Sequence, residues 1–127
     1  MSKIVLDASA LLALLNDETG ADRVRELLPD ALISSVNLAE VVTRLSLLGM
    51  PEDQIREVLT LLALNIEPFD EEQAFRTGLF VAKTHSLGLS LGDRACLALA
   101  RATGGTAVTA DRAWRTLDLG VKIQLLR

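Results

Sequence analysis

Four acidic residues of this chain stand where acids do chemistry in α/β proteins. Asp7 closes a short apolar run, Ile4-Val5-Leu6, and a helix-forming run follows at once. Asp111 comes two residues after a second such run, Thr106-Ala107-Val108-Thr109. Glu40 lies one turn into the helical stretch after Ala31-Leu32-Ile33-Ser34, and Asp93 lies near the start of the helical stretch that leads to Thr106. In an open parallel sheet such positions gather at the carboxyl ends of the strands, where sites form. Carboxylates brought together there repel one another unless a cation lies between them. The ligand set is oxygen only, because the chain has one cysteine, Cys96, in an apolar helical run, and one histidine, His85. That favours Mg²⁺ or Mn²⁺ over zinc or copper, with positions left for water and phosphate oxygens. Ser9 and Thr109 are near Asp7 and Asp111 in sequence and could orient a carboxylate or a metal-bound water.

Each acid also has a plainer role. Asp7 could cap the first helix. Asn37-Leu38-Ala39-Glu40 has capping-box spacing, and Glu40 could pair with Arg44 four residues on. Ser90-Leu91-Gly92-Asp93 has the same box spacing, and Asp111 could sit in a helix's first turn, where the dipole favours an anion. Asp93 weighs against the plain readings. The residues three, four and seven beyond it are Cys96, Leu97 and Ala100, so it shares the apolar face of its helix, with no Lys or Arg on that face.

The elements that would position these residues follow from periodicity. Strands are expected at 3–7, 31–34, 65–69, 106–109 and 121–125, with Pro68 marking the third as an edge or an end. Helices are expected at 8–16, 21–28, 36–48, 51–64, 71–86, 91–103 and 111–117. Leu11, Leu12, Leu14 and Leu15 cover a face of the first helix, and Ala74, Phe75, Leu79 and Ala82 are expected inward on the helix at 71–86. Pro51 suits the first turn of its helix. Strands alternate with helices and no hairpin signal occurs. The fold class is therefore α/β, a three-layer α/β/α sandwich around a central parallel sheet. At 127 residues, without repeat or linker, residues 1–127 read as one domain.

Half the residues are hydrophobic and only 3% aromatic. An apolar surplus on so small a domain marks a partner surface, and Leu45, Leu47, Leu48, Met50, Leu59, Leu61 and Leu62 on the helices over 36–64 suggest a homodimer. The N-terminus lacks a secretory signal pattern and no charge-free stretch of roughly 18 apolar residues occurs, so a cytoplasmic protein without a membrane span is expected. The net charge of −4 taken alone opposes a polyanionic partner. Setting the four acids aside leaves 13 acidic residues against 13 basic ones, so the rest of the chain is formally neutral. Arg44, Arg94, Arg101, Arg112 and Arg115 lie on the helices that carry Glu40, Asp93 and Asp111. They could line a phosphate path; each is otherwise a solvated helix residue.

The series Ile4-Val5-Leu6-Asp7-Ala8-Ser9, Asn37-Leu38-Ala39-Glu40-Val41, Leu89-Ser90-Leu91-Gly92-Asp93 and Val108-Thr109-Ala110-Asp111 resembles the PIN-domain ribonucleases. In particular it is similar to the VapC-type toxins of type II toxin–antitoxin pairs. The resemblance covers essentially the whole chain, in order and with similar spacing. It implies a metal-dependent endoribonuclease in which Asp7, Glu40, Asp93 and Asp111 form an acidic quartet around Mg²⁺ or Mn²⁺. It also implies an RNA substrate, a homodimer, and a cognate antitoxin whose C-terminal segment lies across the active groove. The sequence departs from the pattern at Gly92, where such proteins often carry alanine, and in having few aromatics to stack bases. Trp114, the one aromatic close to a site acid, reads more simply as packing on the sheet.

Two other classes compete. A phosphoacceptor receiver domain has similar size and element order. It needs a second acid beside Asp7, an aspartate after a middle strand and a lysine directly after a late one, and the chain has none of these there. An inactive PIN-like scaffold that only binds a protein would keep the apolar helices, but the full acid set argues against it.

Overall fold

The computed structural model describes residues 3–127. Its centre is a five-stranded parallel sheet in the order β3-β2-β1-β4-β5. The strands are β1 (Ile4–Leu6), β2 (Ala31–Ser34), β3 (Asn65–Glu67), β4 (Thr106–Thr109) and β5 (Lys122–Leu125). The helices are α1 (Ala8–Leu15), α2 (Ala21–Leu27), α3 (Ser35–Leu47), α4 (Glu52–Leu61), α5 (Glu71–Leu79), α6 (Val81–Thr84) and α7 (Leu91–Thr103). Short 3₁₀ turns occupy Leu28–Asp30, His85–Leu87 and Arg112–Thr116.

Alternation along the strands sends side chains to both faces. Val5 and Ala107 pack with Cys96 to Ala100 of α7, with Phe80 and with Trp114. Leu6 and Val108 turn the other way, onto Ala10 and Val24 of α1 and α2. Ile33 meets Leu11, Val41, Leu45 and Ile55 from α1, α3 and α4. The sheet is thus covered on both faces, as its short, nearly continuous apolar strands require.

The topology places a switch beside β1. The chain steps from β1 to β2 and β3 on one side, then returns to β4 and β5 on the other. Leu6 is in register with Val108, and the next residue, Asp7, donates its N–H to the Val108 carbonyl at 3.1 Å. The ends of β1 and β4 therefore open into the same crevice, the usual place for a site in such sheets.

Helix boundaries follow their caps. Asp70 caps α5 by accepting from Gln73 N at 2.9 Å. Gly104 ends α7 in the left-handed region at φ 66°. Pro51 is the N-cap of α4 and stands before the first turn. α4 stops at Leu61, three residues short of expectation, as Ala63 takes φ 50°.

The helix expected at 71–86 is broken into α5, α6 and a 3₁₀ turn, and it buries a different face. Thr77, Phe80 and Thr84 point inward, whereas Ala74, Phe75, Leu79 and Ala82 are exposed. Two stripes competed on this segment, and counting Thr as polar favours the wrong one. Phe80 fills the α7 side of the core, the Thr84 hydroxyl is satisfied by the Phe80 carbonyl at 2.9 Å, and the Thr77 carbonyl accepts from Arg94. Phe80→Ala should cost about 3–5 kcal/mol in chemical denaturation, while Phe75→Ser should stay within about 0.5 kcal/mol of wild type. The reverse order would restore the sequence-based face.

Candidate functional site

The crevice is built around the Asp7 carboxylate, which is only 4% exposed. Asp7 caps α1, its Oδ1 accepting from Ala10 N at 2.8 Å. Ser9 donates to the same oxygen at 2.7 Å, and Thr109 donates to Oδ2 at 2.5 Å. Both hydroxyls are aimed by backbone amides of the turn after β4. Ala110 N donates to Ser9 Oγ at 2.9 Å and Asp111 N to Thr109 Oγ1 at 3.0 Å. With those amides on their lone pairs, each hydroxyl turns its single proton toward Asp7. Ser9 Oγ and Thr109 Oγ1 lie 3.2 Å apart, but both protons are committed to the carboxylate.

Burial pushes the Asp7 carboxyl up to about 6, against 3.8 for an ordinary aspartate. The hydrogen bonds from Thr109, Ser9 and Ala10 pull it back down, and the nearby charge of Asp93 raises it. Desolvation outweighs three good donors, so the site holds an anion that it does not neutralise.

Asp93 is half-buried in the first turn of α7. It closes a capping box: Asp93 Oδ2 accepts from Ser90 N at 3.0 Å, and Ser90 Oγ accepts from Asp93 N at 3.1 Å. The expectation of an inward acid without a partner is corrected here, since the plainer role is met. The box occupies Oδ2 and leaves Oδ1 outside it.

Glu40 is exposed and does not pair with Arg44; its Oε1 accepts from Asn37 Nδ2 at 2.8 Å. Asn37 is not a helix cap. Ser34 caps α3, accepting from Val36 N at 3.2 Å, so Asn37 falls in the first turn, almost fully buried. The Asn37 amide also donates to the Gly92 carbonyl of α7 at 3.0 Å. Neither Asn37 nor Gly92 stood out as a site residue in the sequence, where the amide three residues before an acid read as a cap.

Asp111 is exposed and caps the turn after β4, accepting from Ala113 N at 3.0 Å. Trp114 of that turn is fully buried in the core. Beneath the crevice, burial pushes the Cys96 thiol well up, and the charges of Asp7, Asp93 and Glu40 push it further. Three of the four acids therefore act on one buried point, while Asp111 is tied to Thr109 by its backbone N–H and turns its carboxylate to Ala113 N.

The described side chains do not group three acids into a ready-made coordination sphere. Their chemistry nevertheless fits a hard divalent cation. Asp7 Oδ1 is occupied by two donors and Oδ2 by one, so one acceptor position on Oδ2 stays open. The donors are all oxygens, and like charges around a buried carboxylate are what a cation relieves.

A family model for the PIN domain matches residues 4–119. The chain belongs to the PIN-domain family. This PIN domain shares its fold with a chain of DNA-bound VapBC from Salmonella typhimurium, at 22% identity, full coverage of both chains and a TM-score of 0.77. A chain of VapBC2 from Rickettsia felis bound to a promoter DNA fragment matches at 19% identity, with 97% and 98% coverage and a TM-score of 0.74. A toxin–antitoxin complex from Klebsiella pneumoniae matches at 20% identity, with 98% coverage of each chain and a TM-score of 0.74. No curated protein shows significant sequence similarity to the chain.

The five arginines of this PIN domain do not form one path. Arg44 is exposed and lines a groove with Ala8, Leu12 and Glu40, and Arg112 and Arg115 are exposed on the turn after Asp111. Arg94 instead reaches α5, donating to the Thr77 carbonyl at 3.0 Å. Arg101 lies two helical turns beyond Asp93, over the Phe80 ring at 5.8 Å. α7 runs away from the crevice, so its later residues face the opposite end of the sheet.

The sign of the Asp7 shift fixes a pH dependence. The folded protein binds this proton more tightly than the unfolded chain. Its stabilising contribution is full below about 3.8 and is lost as pH rises through about 6. At neutral pH without metal the ionised carboxylate costs about 3 kcal/mol. Asp7→Asn should therefore melt above wild type at pH 7.5 in EDTA, with the gap closing by pH 4. Thr109→Val removes a donor to the charged form, so carboxyl NMR should place Asp7 above its wild-type midpoint.

Proposed function

We propose that this PIN domain is a Mg²⁺- or Mn²⁺-dependent endoribonuclease and the toxin of a toxin–antitoxin pair. PIN domains are in general nucleases, and the observation that carries the reading is the buried, un-neutralised Asp7 with the charge of Asp93 acting on it. Asp7, Asp93 and Asp111 would hold the ion, and Glu40 would complete its surroundings or orient the attacking water. A bound ion would supply an acidified water and offset the charge that develops on the scissile phosphate.

The protein's own part is orientation and charge. Ser9 and Thr109 hold the Asp7 carboxylate in one orientation and leave one acceptor position on Oδ2 open. The Ser90 box fixes Asp93 on the first turn of α7. Arg44, Arg112 and Arg115, exposed on α3 and on the turn after Asp111, would meet phosphates flanking the cut, whereas Arg94 and Arg101 are held elsewhere. His85 is exposed on its own 3₁₀ turn, and no second histidine exists to pair with it for acid–base cleavage through the 2′-OH. Cleavage by water would leave 5′-phosphate and 3′-hydroxyl ends.

The antitoxin partner is supported by the structural likenesses, which are to chains of VapBC and toxin–antitoxin complexes. A homodimer is supported by large apolar side chains left in solvent. Leu47, Leu48 and Leu61 are exposed on α3, its C-cap and α4, and Phe75, Leu79, Val81 and Leu87 are exposed on α5, α6 and the turn that follows. Leu45, expected on that surface, is instead buried in the core. No helix among the described residues is long and apolar enough to cross a membrane.

Purified protein should cut single-stranded RNA with Mg²⁺ or Mn²⁺, leave 5′-phosphate ends, and stop in excess EDTA. Asp7→Asn should lose more than the roughly 10–100-fold that follows loss of a ligand's supporting hydrogen bond, while keeping a cooperative melt. Undiminished cleavage in EDTA would contradict the metal. Light scattering coupled to size exclusion should give twice the chain mass; a monomer would contradict the dimer.

A further inference from the structure

We propose that Asn37 and Gly92 form a latch that positions the Glu40 carboxylate over the first turn of α7. The inference rests on the metal-nuclease reading and adds two residues to it.

The Asn37 side chain bridges two helices. Its Nδ2 donates to Glu40 Oε1 at 2.8 Å and to the Gly92 carbonyl at 3.0 Å, so both amide protons are used. The amide cannot be reversed without setting its oxygen against a carboxylate and a carbonyl. Asn37 Oδ1, on the other side, is buried with no partner among the described residues. An unsatisfied buried acceptor costs stability, and an apolar residue of this size would pack here without that cost.

Gly92 makes the complementary concession. A Cβ built on it would overlap the Glu40 carboxylate, meeting Oε1, Cδ and Oε2. Gly92 has no positive φ that would demand glycine. It is a buried helical residue where alanine would favour the helix. Asn37 on α3 and Gly92 on α7 thus each give up stability, and both concessions converge on the same carboxylate. Glu40 is otherwise an exposed, flexible side chain, free to leave the crevice. The latch holds Oε1 and leaves Oε2 outside the Asn37 bond, with the whole carboxylate lying against Gly92.

The test separates positioning from folding, since Gly92→Ala should fold at least as well as wild type. Mn²⁺ affinity is measured by calorimetry on the full chain for wild type, Gly92→Ala, Asn37→Ala, Glu40→Gln and the two latch changes combined with Glu40→Gln. The expected result is a Gly92→Ala melting temperature equal to or above wild type, with Mn²⁺ binding weakened roughly 10-fold. Asn37→Ala should weaken binding similarly. In the Glu40→Gln background neither change should weaken it further. Unchanged Mn²⁺ affinity in Gly92→Ala, with Glu40→Gln impaired, overturns the latch and leaves the metal reading standing. Affinity insensitive to Glu40→Gln overturns the latch as well, and a wild-type protein that binds no Mn²⁺ overturns both.

Discussion

The structure depends on one unfavourable arrangement, the burial of a carboxylate at the junction of β1 and β4. Asp7 sits at the sheet's switch point because the chain reverses its direction of travel across the sheet there. The same residue must cap α1, so it cannot turn away from the crevice. Three donors surround it, yet desolvation and Asp93 still hold its proton affinity high. Polar groups elsewhere in the fold are arranged around this constraint. Ser9 comes from α1 and Thr109 from β4, and each is oriented by an amide of the turn that carries Asp111. The turn after β4 thereby fixes Asp7 as firmly as Asp7's own helix does.

The second carboxylate, Asp93, is a helix cap whose charge still reaches the crevice. One oxygen completes the capping box of α7 and keeps the first turn rigid. The charge remains in the crevice, where it acts on both Asp7 and Cys96. Glu40 is handled differently. It is the longest of the four side chains and has no cap to hold it, so its placement falls to Asn37 and to the empty space at Gly92. Rigid acids are supplied by helix starts, and the flexible one is held by a neighbour's amide.

Much of this was legible in the sequence because parallel strands, their following turns and helix caps are local patterns. The five strands and their parallel arrangement follow from short strand-forming runs alternating with helical ones, and the sheet has that arrangement. Features decided by contacts distant in sequence were not legible. The α5 segment offered two stripes, and the choice rested on how Thr77 and Phe80 meet α7. Asn37 looked like a cap until Ser34 took that place. Arg94 and Arg101 lay on the right helix, but the direction of α7 carries them to α5 and Phe80. Gly92, where the sequence departs from the resembling family, looked like a weakness and is where Glu40 needs room.

The central claim is that the raised Asp7 carboxyl is the seat of a divalent cation. Proton release on binding tests it most directly. Mn²⁺ is titrated calorimetrically at pH 6 and pH 7.5 in buffers of different ionisation enthalpy. With a free-protein midpoint of about 6, binding should expel about half a proton per chain at pH 6 and close to none at pH 7.5, and Asp7→Asn should abolish the release. Tight Mn²⁺ binding with no proton released at pH 6, or release that persists in Asp7→Asn, would contradict the account.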